Sequence, residues 1–484
     1  MADILIIGGG VAGLAAGITA AENGHAVRIY ERSGRIGGNL TGWDRCGCHI
    51  DNCIHWLTGT NKLTDGYKMW ERLGALGDVP IYVPDTLFTF EADGISVSLH
   101  RDIRAFEADM LRAAPKDEGE IRSLIRAVKA MIRLDGISPD DTAKRCTTIK
   151  KALSLPSLAK YCNMTTGNLS DRFTSPVLRG FFESLLGRDF AAIALIAVFA
   201  TFCSGNGDIP EGGSSAMAER MADRFIRLGG RVRLGCGVGE ISIADGRAVA
   251  VTLDDGSKTT ADHVLIACDP AAVFGRMLDA KNMPHALKKQ YNDRRMKRFS
   301  SVQCAFVCDG KPGFRGDCIF AVPDEYRRTL ASKYIILREF SHEPDFAPDG
   351  KTVIQSMIFV LEDGAKKWIS LSSDKNAYGE KKRKFANAVL ETVTSHFPDL
   401  HSRLTCIDSW TPATYRRFVS SEIGSYMSFT IPQGRLPKRI KPEIRGIDNV
   451  FLATQWLRSP GGLPNAARAG IDAVRAIEKL QKKE

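Results

Sequence analysis

Apolar runs at the start of the chain alternate with short polar turns. The run "ILII" is continuously apolar, as in a buried strand, and "AGLAAGITAAENG" has the small and apolar residues of a buried helix. Gly24 closes that helix, because glycine adopts the left-handed conformation common at helix C-termini. A second apolar run, "AVRIYE", ends at Glu31. The pattern predicts a strand–helix–strand unit.

A second region of strand-like and helical patterns occupies the middle of the chain. The segments "SSVQCAFVCDG", "YIILREFS" and "TVIQSMIFVLE" predict strands, and helical patterns extend from "DIRAFEADMLRAA" to "FAAIALIAVFATFC". The last of these, Phe190 to Cys203, is shorter than the roughly 18 residues of a membrane span. It is apolar all round, which predicts a buried helix. That helix forms either plain core or the wall of a cavity for an apolar substrate.

Length and composition limit the class of protein. The chain has 484 residues, of which 44% are hydrophobic and 25% charged. These values are typical of a globular protein and argue against disorder, collagen and coiled coil. The length predicts two joined domains. We find no internal repeat and no low-complexity linker.

The formal charge of +10 is concentrated in stretches such as "KKQYNDRRMKR" and "EKKRKF". Two interpretations are open: solvated helix faces, or attraction to an anionic membrane surface or an acidic ligand. A membrane contact would be peripheral, since no run is long enough to cross. No basic motif is interleaved with aromatic residues, so we expect no nucleic-acid partner.

Twelve cysteines are scattered without a CxxC pair, which favours reduced thiols and a cytoplasmic protein. The first apolar run is too short for a signal peptide, so we expect none. One segment, "CGCHIDNCIHW", is rich in metal-ligand residue types, but its spacing matches none of the usual zinc patterns. Its alternation predicts a strand, which would send neighbouring side chains to opposite faces. We therefore expect no metal site.

Three glycines follow the first predicted strand at the spacing GxGxxG. Gly8 would form the tight turn, Gly10 would let a pyrophosphate approach, and Gly13 would let helix and strand pack closely. The helix N-terminus would offer free N–H groups to the phosphates. Glu31, about 20 positions on, would accept hydrogen bonds from a ribose. The unit predicts a dinucleotide-binding site.

The segment "ERSGRIGGN" indicates which dinucleotide binds. Gly34, Arg35, Gly37 and Gly38 resemble the second fingerprint of flavoproteins of the glutathione-reductase type. The resemblance implies FAD, with the glycines beside its ribityl-phosphate part and Arg35 able to reach the phosphates. No cysteine pattern suggests covalent attachment, so we expect noncovalent FAD. A second glycine motif, "LGCGVGE", lies in a predicted hairpin without a following helix, and we expect no dedicated NAD(P)H site.

Three later segments resemble the amine oxidase and phytoene desaturase superfamily. They are "DIPEGGSSAMAERMADRFIRLGGRVRL", "GCGVGEISIADGRAVAVTLDDGSKTTADHVLIACDP" and "NVFLATQWLRSPGGLPNAARAGIDAVRAI". In addition, "HIDNCIHWLTGT" is similar to a segment of retinol saturases and carotenoid isomerases, and Asp51, Ile54, His55 and Trp56 carry the match. The glutamate that amine oxidases have near Thr454, and their aromatic cage, are not evident.

The resemblance implies an α/β protein. A discontinuous FAD-binding Rossmann domain of the glutathione-reductase type would comprise residues 1–78, 206–285 and 430–484. A substrate domain, a mixed sheet with helices, would comprise residues 79–205 and 286–429. The N-terminus of the last helix would point at the pyrimidine side of the flavin.

The resemblance also implies the site residues. His55 is the candidate catalytic residue, as acid, base or hydrogen-bond donor to a flavin edge; simple packing at the domain junction is the alternative. The residues implied to contact FAD are Gly8, Gly10, Val11, Ala12, Gly13, Glu31, Arg32, Arg35, Gly37, Gly38, Asn39, Val238, Pro460, Gly461, Gly462 and Leu463.

The expected function is that of an FAD-dependent oxidoreductase acting on carbon–carbon double bonds of a lipophilic substrate such as a polyene, isoprenoid or fatty chain. Desaturation, saturation and cis–trans isomerisation all remain open. The alternatives are a flavin amine or amino-acid oxidase and a flavin-binding lipid scaffold without turnover. The sequence identifies neither the substrate nor the electron partner.

Overall fold

The computed structural model describes residues 1–135, 156–435 and 439–482. In chain order the strands are β1 (Asp3–Ile7), β2 (Ala26–Tyr30), β3 (Gly42–Arg45), β4 (Cys48–Asp51), β5 (Leu57–Thr58), β6 (Ile81–Tyr82), β7 (Thr86–Ala92), β8 (Ile95–His100), β9 (Gly207–Pro210), β10 (Arg231–Arg233), β11 (Val238–Ala244), β12 (Arg247–Leu253), β13 (Lys258–Thr259), β14 (His263–Ile266), β15 (Phe299–Asp309), β16 (Asp317–Ala321), β17 (Tyr334–Glu339), β18 (Lys351–Leu361), β19 (Leu404–Trp410), β20 (Glu443–Ile444) and β21 (Ile447–Leu452).

The helices are α1 (Val11–Glu22), α2 (Asp65–Arg72), α3 (Ile103–Ala113), α4 (Glu118–Asp135), α5 (Thr166–Ser170), α6 (Pro176–Ser184), α7 (Ala192–Cys203), α8 (Gly213–Arg227), α9 (Pro270–Ala272), α10 (His285–Asn292), α11 (Asp324–Leu330), α12 (Glu362–Leu371), α13 (Lys375–His396), α14 (Pro412–Val419) and α15 (Leu463–Gln481). Residues 156–162 are also helical.

The first sheet has six strands in the order β10-β2-β1-β14-β21-β20. All neighbours run parallel except the edge pair β20 and β21. Along β1, Ile4 and Ile6 join the core formed with α1, α8 and α15, whereas Leu5 and Ile7 join the core under the β11–β12 hairpin. Both faces of β1 are therefore covered, which explains its continuously apolar sequence.

The second sheet has seven strands in the order β19-β15-β18-β17-β16-β7-β8. Its pairs are antiparallel except β16 with β7, which joins two distant parts of the chain. One face packs on the helices between α3 and α7, as shown by Phe88, Ile319 and Ile336. The opposite face, which includes Phe320 and Leu337, packs on α12 and α13.

Short strands link the two sheets. β4 forms a hairpin with β3, and β5 pairs with β9 in the register Leu57 with Asp208. The segment that follows β4 is thereby held beside the segment that leads into α8. This junction carries His55.

The β-α-β unit, the β11–β12 hairpin and the final strand–loop–helix appear where the sequence predicts them. The strand predicted in the cysteine-rich segment is β4. The expectation of a helical part before Cys203 was incomplete, because β7 and β8 form a hairpin there and extend the second sheet. Their signals were alternating apolar residues on both sides of Asp93–Gly94, a two-residue turn with φ of 52° and 73°.

The prediction that the apolar run forms a helix buried all round is wrong for one face. The residues on that face are half-buried, and they recur at helical spacing: Ile193, Ala194, Ala197, Val198 and Thr201. Among the described residues, no helix has both the length and the apolar character needed to cross a membrane.

Candidate functional site

The glycine turn between β1 and α1 serves two different purposes. A Cβ at Gly13 would overlap the carbonyl oxygen of Gly8, so this glycine is required for α1 to approach the turn. A Cβ at Gly10 would lie 3.7 Å from the carbonyl oxygen of Gly37 and 3.9 Å from the Cα of Gly38, which are ordinary contacts. The protein therefore has room for a side chain at Gly10, and the glycine there leaves a groove open.

The start of α1 is suited to an anion. Gly10 is its N-cap and provides no side-chain hydrogen bond, and the first turn has no acidic residue. The N–H groups of Val11, Ala12 and Gly13 have no acceptor within the helix, because the first turn of any α-helix leaves its donors free. Free donors and the helix dipole together attract phosphate groups.

The second glycine segment lies directly against this turn. The N–H of Gly37 donates to the carbonyl of Gly9 at 2.9 Å, and Gly10 and Gly37 form a parallel bridge. Gly37 has a φ of +109°, and a Cβ there would overlap the Leu40 carbonyl oxygen. The structure thus brings Gly10, Gly37 and Gly38 together.

Glu31 follows β2 at the edge of the same groove. Its carboxylate is buried and accepts hydrogen bonds from the N–H groups of Gly9 and Ser33, both at 2.7 Å. The side chains of Arg32 and Arg35 are exposed and donate to the carbonyls of Arg417 and Gly42. Glu31 therefore lies where the dinucleotide hypothesis requires it, while both arginines are engaged by backbone oxygens.

Val238 begins β11 and is buried beside the end of β2, since the N–H of Cys236 donates to the carbonyl of Glu31 at 2.9 Å. The "LGCGVGE" motif is a hairpin, as predicted, with no helix after it. Val238 thus lies at the Glu31 end of the groove, whereas the loop before α15 lies elsewhere around α1.

The loop before α15 is held by the side chain of Gln455. Its Oε1 accepts from the N–H of Gly462 at 2.8 Å, and a Cβ at Gly461 would lie 2.6 Å from the same oxygen. The N-cap of α15 is Gly462, and Leu463 begins the helix after Pro460 and Gly461. The first turn of α15 therefore begins without a capping side chain.

The helices α1 and α15 cross closely at Gly470. A Cβ at Gly470 would overlap the carbonyl oxygen of Ala12, so the first turn of α1 packs on α15. Gly470 lies seven residues after Leu463, which corresponds to roughly 10 Å along the helix axis. The first turn of α1 therefore packs on α15 about two turns from the N-terminus of that helix, although the two helices are distant in sequence.

Several buried polar atoms lack a hydrogen-bond partner within the described chain. Those in segments next to the groove are Asn39 Oδ1, Tyr426 OH, Ser428 Oγ and Ser459 Oγ. Ser428 neighbours the α15 loop, because its N–H donates to the Pro460 carbonyl at 3.0 Å. Buried polar atoms in folded proteins are nearly always paired with protein groups or ordered water, so these atoms are available to bind water or a polar ligand.

Asp51 fixes the segment that leads to His55. Its carboxylate accepts from the N–H of Ser214 at 2.5 Å and from the hydroxyl of Ser214 at 2.8 Å, and it also accepts from the N–H groups of Cys53 and Ile54. Ser214 lies in the first turn of α8. The Asp51 side chain therefore joins the 51–55 turn to a helix N-terminus, which is a positioning role.

His55 lies beside a buried ion pair that the sequence analysis missed. The guanidinium group of Arg338 donates to both carboxylate oxygens of Asp317, at 2.6 and 2.7 Å, and to the carbonyls of Ile54 and His55, at 2.6 and 3.2 Å. The Nδ1 atom of His55 is 3.5 Å from Asp317 Oδ2. The only sequence signal was one acid and one base at the ends of apolar strands, and their pairing requires the register of β16 with β17.

The pKa values of both titrating groups at this site, Asp317 and His55, are lowered. Burial alone would raise the pKa of Asp317, but the Arg338 charge and hydrogen bonds from His55 and Arg338 bring it down to about 2. Burial and then the Arg338 charge lower the pKa of His55, and the nearby carboxylates oppose this change. His55 is therefore neutral at neutral pH, and its imidazole can accept a proton as a base and donate a hydrogen bond through its N–H.

The cleft beside His55 is lined mainly by polar side chains, including Gln303, Arg338 and Gln355, with Ile336 and Met357 among its apolar residues. A separate apolar wall extends from Tyr426 to Phe190, just before α7. The Phe299 ring contacts Tyr426 at 5.5 Å and Phe190 at 5.6 Å between centroids, and Phe190 precedes α7.

The half-buried face of α7 follows Phe190. The described chain thus forms a series of aromatic side chains from Tyr426 through Phe299 to Phe190, two residues before α7 begins.

Comparison with known proteins shows the family to which this chain belongs. The model of the flavin-containing amine oxidoreductase family matches residues 11–478. The chain belongs to this family, and a flavin cofactor is implied.

Two relatives are similar over most of the chain. Prolycopene isomerase 1 of an Oncidium hybrid cultivar is 23% identical over 90% of this chain and 77% of its own length. The all-trans-retinol 13,14-reductase of Danio rerio is 20% identical over 94% of this chain and 82% of its own. Both are distant, so they leave the reaction type of this protein undetermined.

The fold is shared with solved structures. Wild-type putrescine oxidase bound to putrescine superposes with a TM-score of 0.60 at 14% identity, over 99% of both chains. At this identity the likeness establishes the fold alone. The α/β architecture of a nucleotide-type sheet joined to a second, mixed sheet, expected from the sequence, is confirmed.

Proposed function

We propose that this protein is an FAD-dependent oxidoreductase that acts on carbon–carbon double bonds of a lipophilic substrate, by desaturation, saturation or isomerisation. The observation that carries the proposal is the apolar wall from Tyr426 to Phe190, together with the half-buried apolar face of α7 that follows it. An apolar helix face that is not sealed into the core is suited to a hydrocarbon chain, because each buried methylene contributes about 0.8 kcal/mol.

The residues of the groove fit FAD in noncovalent form. The first turn of α1 would bind the pyrophosphate, Glu31 the ribose and the Gly37–Gly38 segment the ribityl phosphate. The unpaired polar atoms of Asn39, Ser428 and Ser459 would supply further hydrogen bonds. The uncapped N-terminus of α15 would stabilise negative charge at the flavin pyrimidine.

The chemistry divides between cofactor and protein. When bound, the isoalloxazine supplies hydride transfer. The protein orients the substrate along the apolar wall, excludes water and moves protons at His55. Asp317 and Arg338 act as positioning residues, because Arg338 holds the His55 carbonyl and Asp317 lies beside its imidazole.

The relatives favour a lipophilic substrate over an amine. By their names, one isomerises prolycopene and another reduces retinol. The named alternatives, an amine or amino-acid oxidase and a lipid scaffold without turnover, predict different outcomes in one experiment.

In that experiment, lipid is extracted from anaerobically prepared holoprotein and identified by mass spectrometry, and the holoprotein is then tested for turnover of the identified lipid. We expect an unsaturated lipid that is converted. Conversion of amines alone would favour the amine oxidase, and a bound but unconverted lipid would favour the scaffold.

We also propose a peripheral contact with anionic membranes. Each lysine or arginine near an anionic surface contributes roughly 1 kcal/mol, and salt screens this attraction. Cosedimentation with phosphatidylserine liposomes should therefore weaken as ionic strength rises. Association that is independent of salt would contradict an electrostatic contact.

The electron partner is proposed to be something other than a nicotinamide nucleotide. The single glycine-rich β-α-β unit would be occupied by FAD. Rapid and saturable anaerobic flavin reduction by NADPH would contradict this proposal.

A further inference from the structure

Three metal-ligand side chains meet on the second sheet, and none of them belongs to the cysteine-rich segment 46–55. Glu91 lies on β7, Cys318 on β16, and His396 is the last residue of α13. Their potential ligand atoms all lie within 4.8 Å of one another. Glu91 Oε2 and His396 Nε2 are 2.8 Å apart.

The cluster is on the face of the sheet opposite to the candidate active site. Cys318 and its neighbour Phe320 belong to the core shared with α13, whereas Ile319 belongs to the core shared with α7. The imidazole of His396 stacks on Phe320 with ring centroids 3.9 Å apart, which restrains its orientation. The three ligands therefore serve no role in the proposed chemistry at His55.

The chemistry of the donors suits a divalent transition metal. Thiolate, imidazole and carboxylate are the protein ligands that zinc prefers. A thiolate and a carboxylate neutralise a divalent charge, so a buried complex would carry no net charge. His396 ends α13, and the partial negative charge of a helix C-terminus favours a cation.

The geometry also permits the complex. A tetrahedral zinc site with bonds of roughly 2.0–2.3 Å places its ligand atoms about 3.3–3.8 Å apart. Glu91 Oε2 and His396 Nε2 are 2.8 Å apart and all three ligand atoms lie within 4.8 Å, so side-chain movements of about 1 Å bring them to this spacing. Cys318 is 1% exposed, whereas the side chains of Glu91 and His396 are 33% and 28% exposed. The cluster is thus closed on the thiol side and open to solvent on the other, where water can occupy a fourth position.

We propose that Glu91, Cys318 and His396 form a binding site for a divalent transition metal of the zinc class, with water as the fourth ligand. The bound metal links the parallel pair of β7 and β16 to the end of α13, and so connects three segments that are distant in sequence. Binding releases the Cys318 proton, so affinity falls as pH is lowered.

Metal content and cobalt spectroscopy test the site in the full-length, FAD-loaded protein. The protein is dialysed against a chelator and titrated with ZnCl2 or CoCl2. We expect one equivalent of zinc by mass spectrometry, a thermal midpoint that rises with zinc, and a thiolate-to-cobalt absorption band in the near ultraviolet. The Cys318→Ser variant should lose that band, and its zinc affinity should fall by roughly 100-fold or more.

Cys308→Ser is the matched control, because Cys308 is a buried cysteine of the same core on β15. It should bind cobalt and zinc as the wild type does. His396→Gln provides a second test if Cys318→Ser does not fold, because His396 is partly exposed. Absence of a cobalt–thiolate band in the wild type, or equal zinc affinity in the Cys318 and Cys308 variants, would overturn the proposal.

Discussion

Asp317 and Arg338 lie opposite each other on β16 and β17 and form two hydrogen bonds in a site where each side chain is only 8% exposed. Arg338 also binds the carbonyls of Ile54 and His55. The pair therefore connects the second sheet to the turn that carries His55.

Removing Arg338 should destabilise the protein strongly. Arg338→Met leaves a charged Asp317 buried without its partner, which costs about 3–5 kcal/mol of unfolding free energy. Urea denaturation measures the change. Arg327→Met, which removes an exposed pair with Asp324, is the control and should cost less than about 1 kcal/mol. Equal losses of unfolding free energy in the two variants would show that the buried Asp317–Arg338 pair contributes no more to stability than the exposed pair.

The pair also makes stability depend on acid pH. The pKa of Asp317 in the folded protein is about 2, below its ordinary value of 3.8, so its contribution is complete above about pH 4. That contribution, about 2 kcal/mol, is lost as pH falls towards 2. As pH falls from about 4 to 2, the unfolding free energy should therefore decrease more steeply for the wild type than for Asp317→Asn. Parallel pH profiles would contradict the depressed pKa.

The sequence predicted the first sheet and its glycine groove better than it predicted the surroundings of His55. Glycine spacing and an acid at a strand end are local signals, and they indicated the β1–α1–β2 unit correctly, whereas the contact of Gly10 with Gly37 appeared only in the structure. The contact of Asp317 with His55 depends on strand register and on a turn fixed by Asp51. Strand register and the Asp51 turn are properties of the assembled fold, and they cannot be predicted from a single amino-acid sequence.

His55 should be required for turnover and not for cofactor binding. His55→Asn should lower turnover by about 10²- to 10⁴-fold if the imidazole transfers a proton, with an unchanged flavin-to-protein ratio. The wild-type rate should fall on the acid side, below the ordinary histidine pKa of 6.5, because burial lowers the pKa of His55. His401→Gln, at an exposed histidine, should leave the rate unchanged. Full turnover by His55→Asn would show that His55 only packs at this position.

Gly10 should be required for FAD and not for folding. Gly10→Val places a branched side chain in the groove, while the nearest protein atoms to its Cβ remain 3.7 Å away. We expect a folded, colourless protein by circular dichroism and visible absorption. Gly379→Val, in α13 with no neighbour within 4 Å of a Cβ, should stay yellow. A Gly10→Val protein that stays yellow would contradict the binding of the FAD pyrophosphate in this groove.

The two faces of α7 should respond differently to a charge. Ala197→Asp, on the half-buried face, should yield a folded protein with normal FAD content and impaired turnover. Ala200→Asp, at a residue that is 1% exposed, should destabilise the fold by several kcal/mol. Flavin content, thermal midpoint and rate separate the two effects. Normal turnover by Ala197→Asp would assign this helix face to ordinary packing.

The most direct test of the account is product analysis with the FAD-loaded protein under anaerobic conditions. Oxidised and reduced holoprotein are each incubated with polyene, isoprenoid and unsaturated fatty substrates, and with primary amines, and the products are identified by chromatography and mass spectrometry. We predict that the holoprotein changes the number or geometry of the carbon–carbon double bonds in at least one of the lipids and does not convert the amines. Oxidation of an amine with every lipid left unchanged would contradict it.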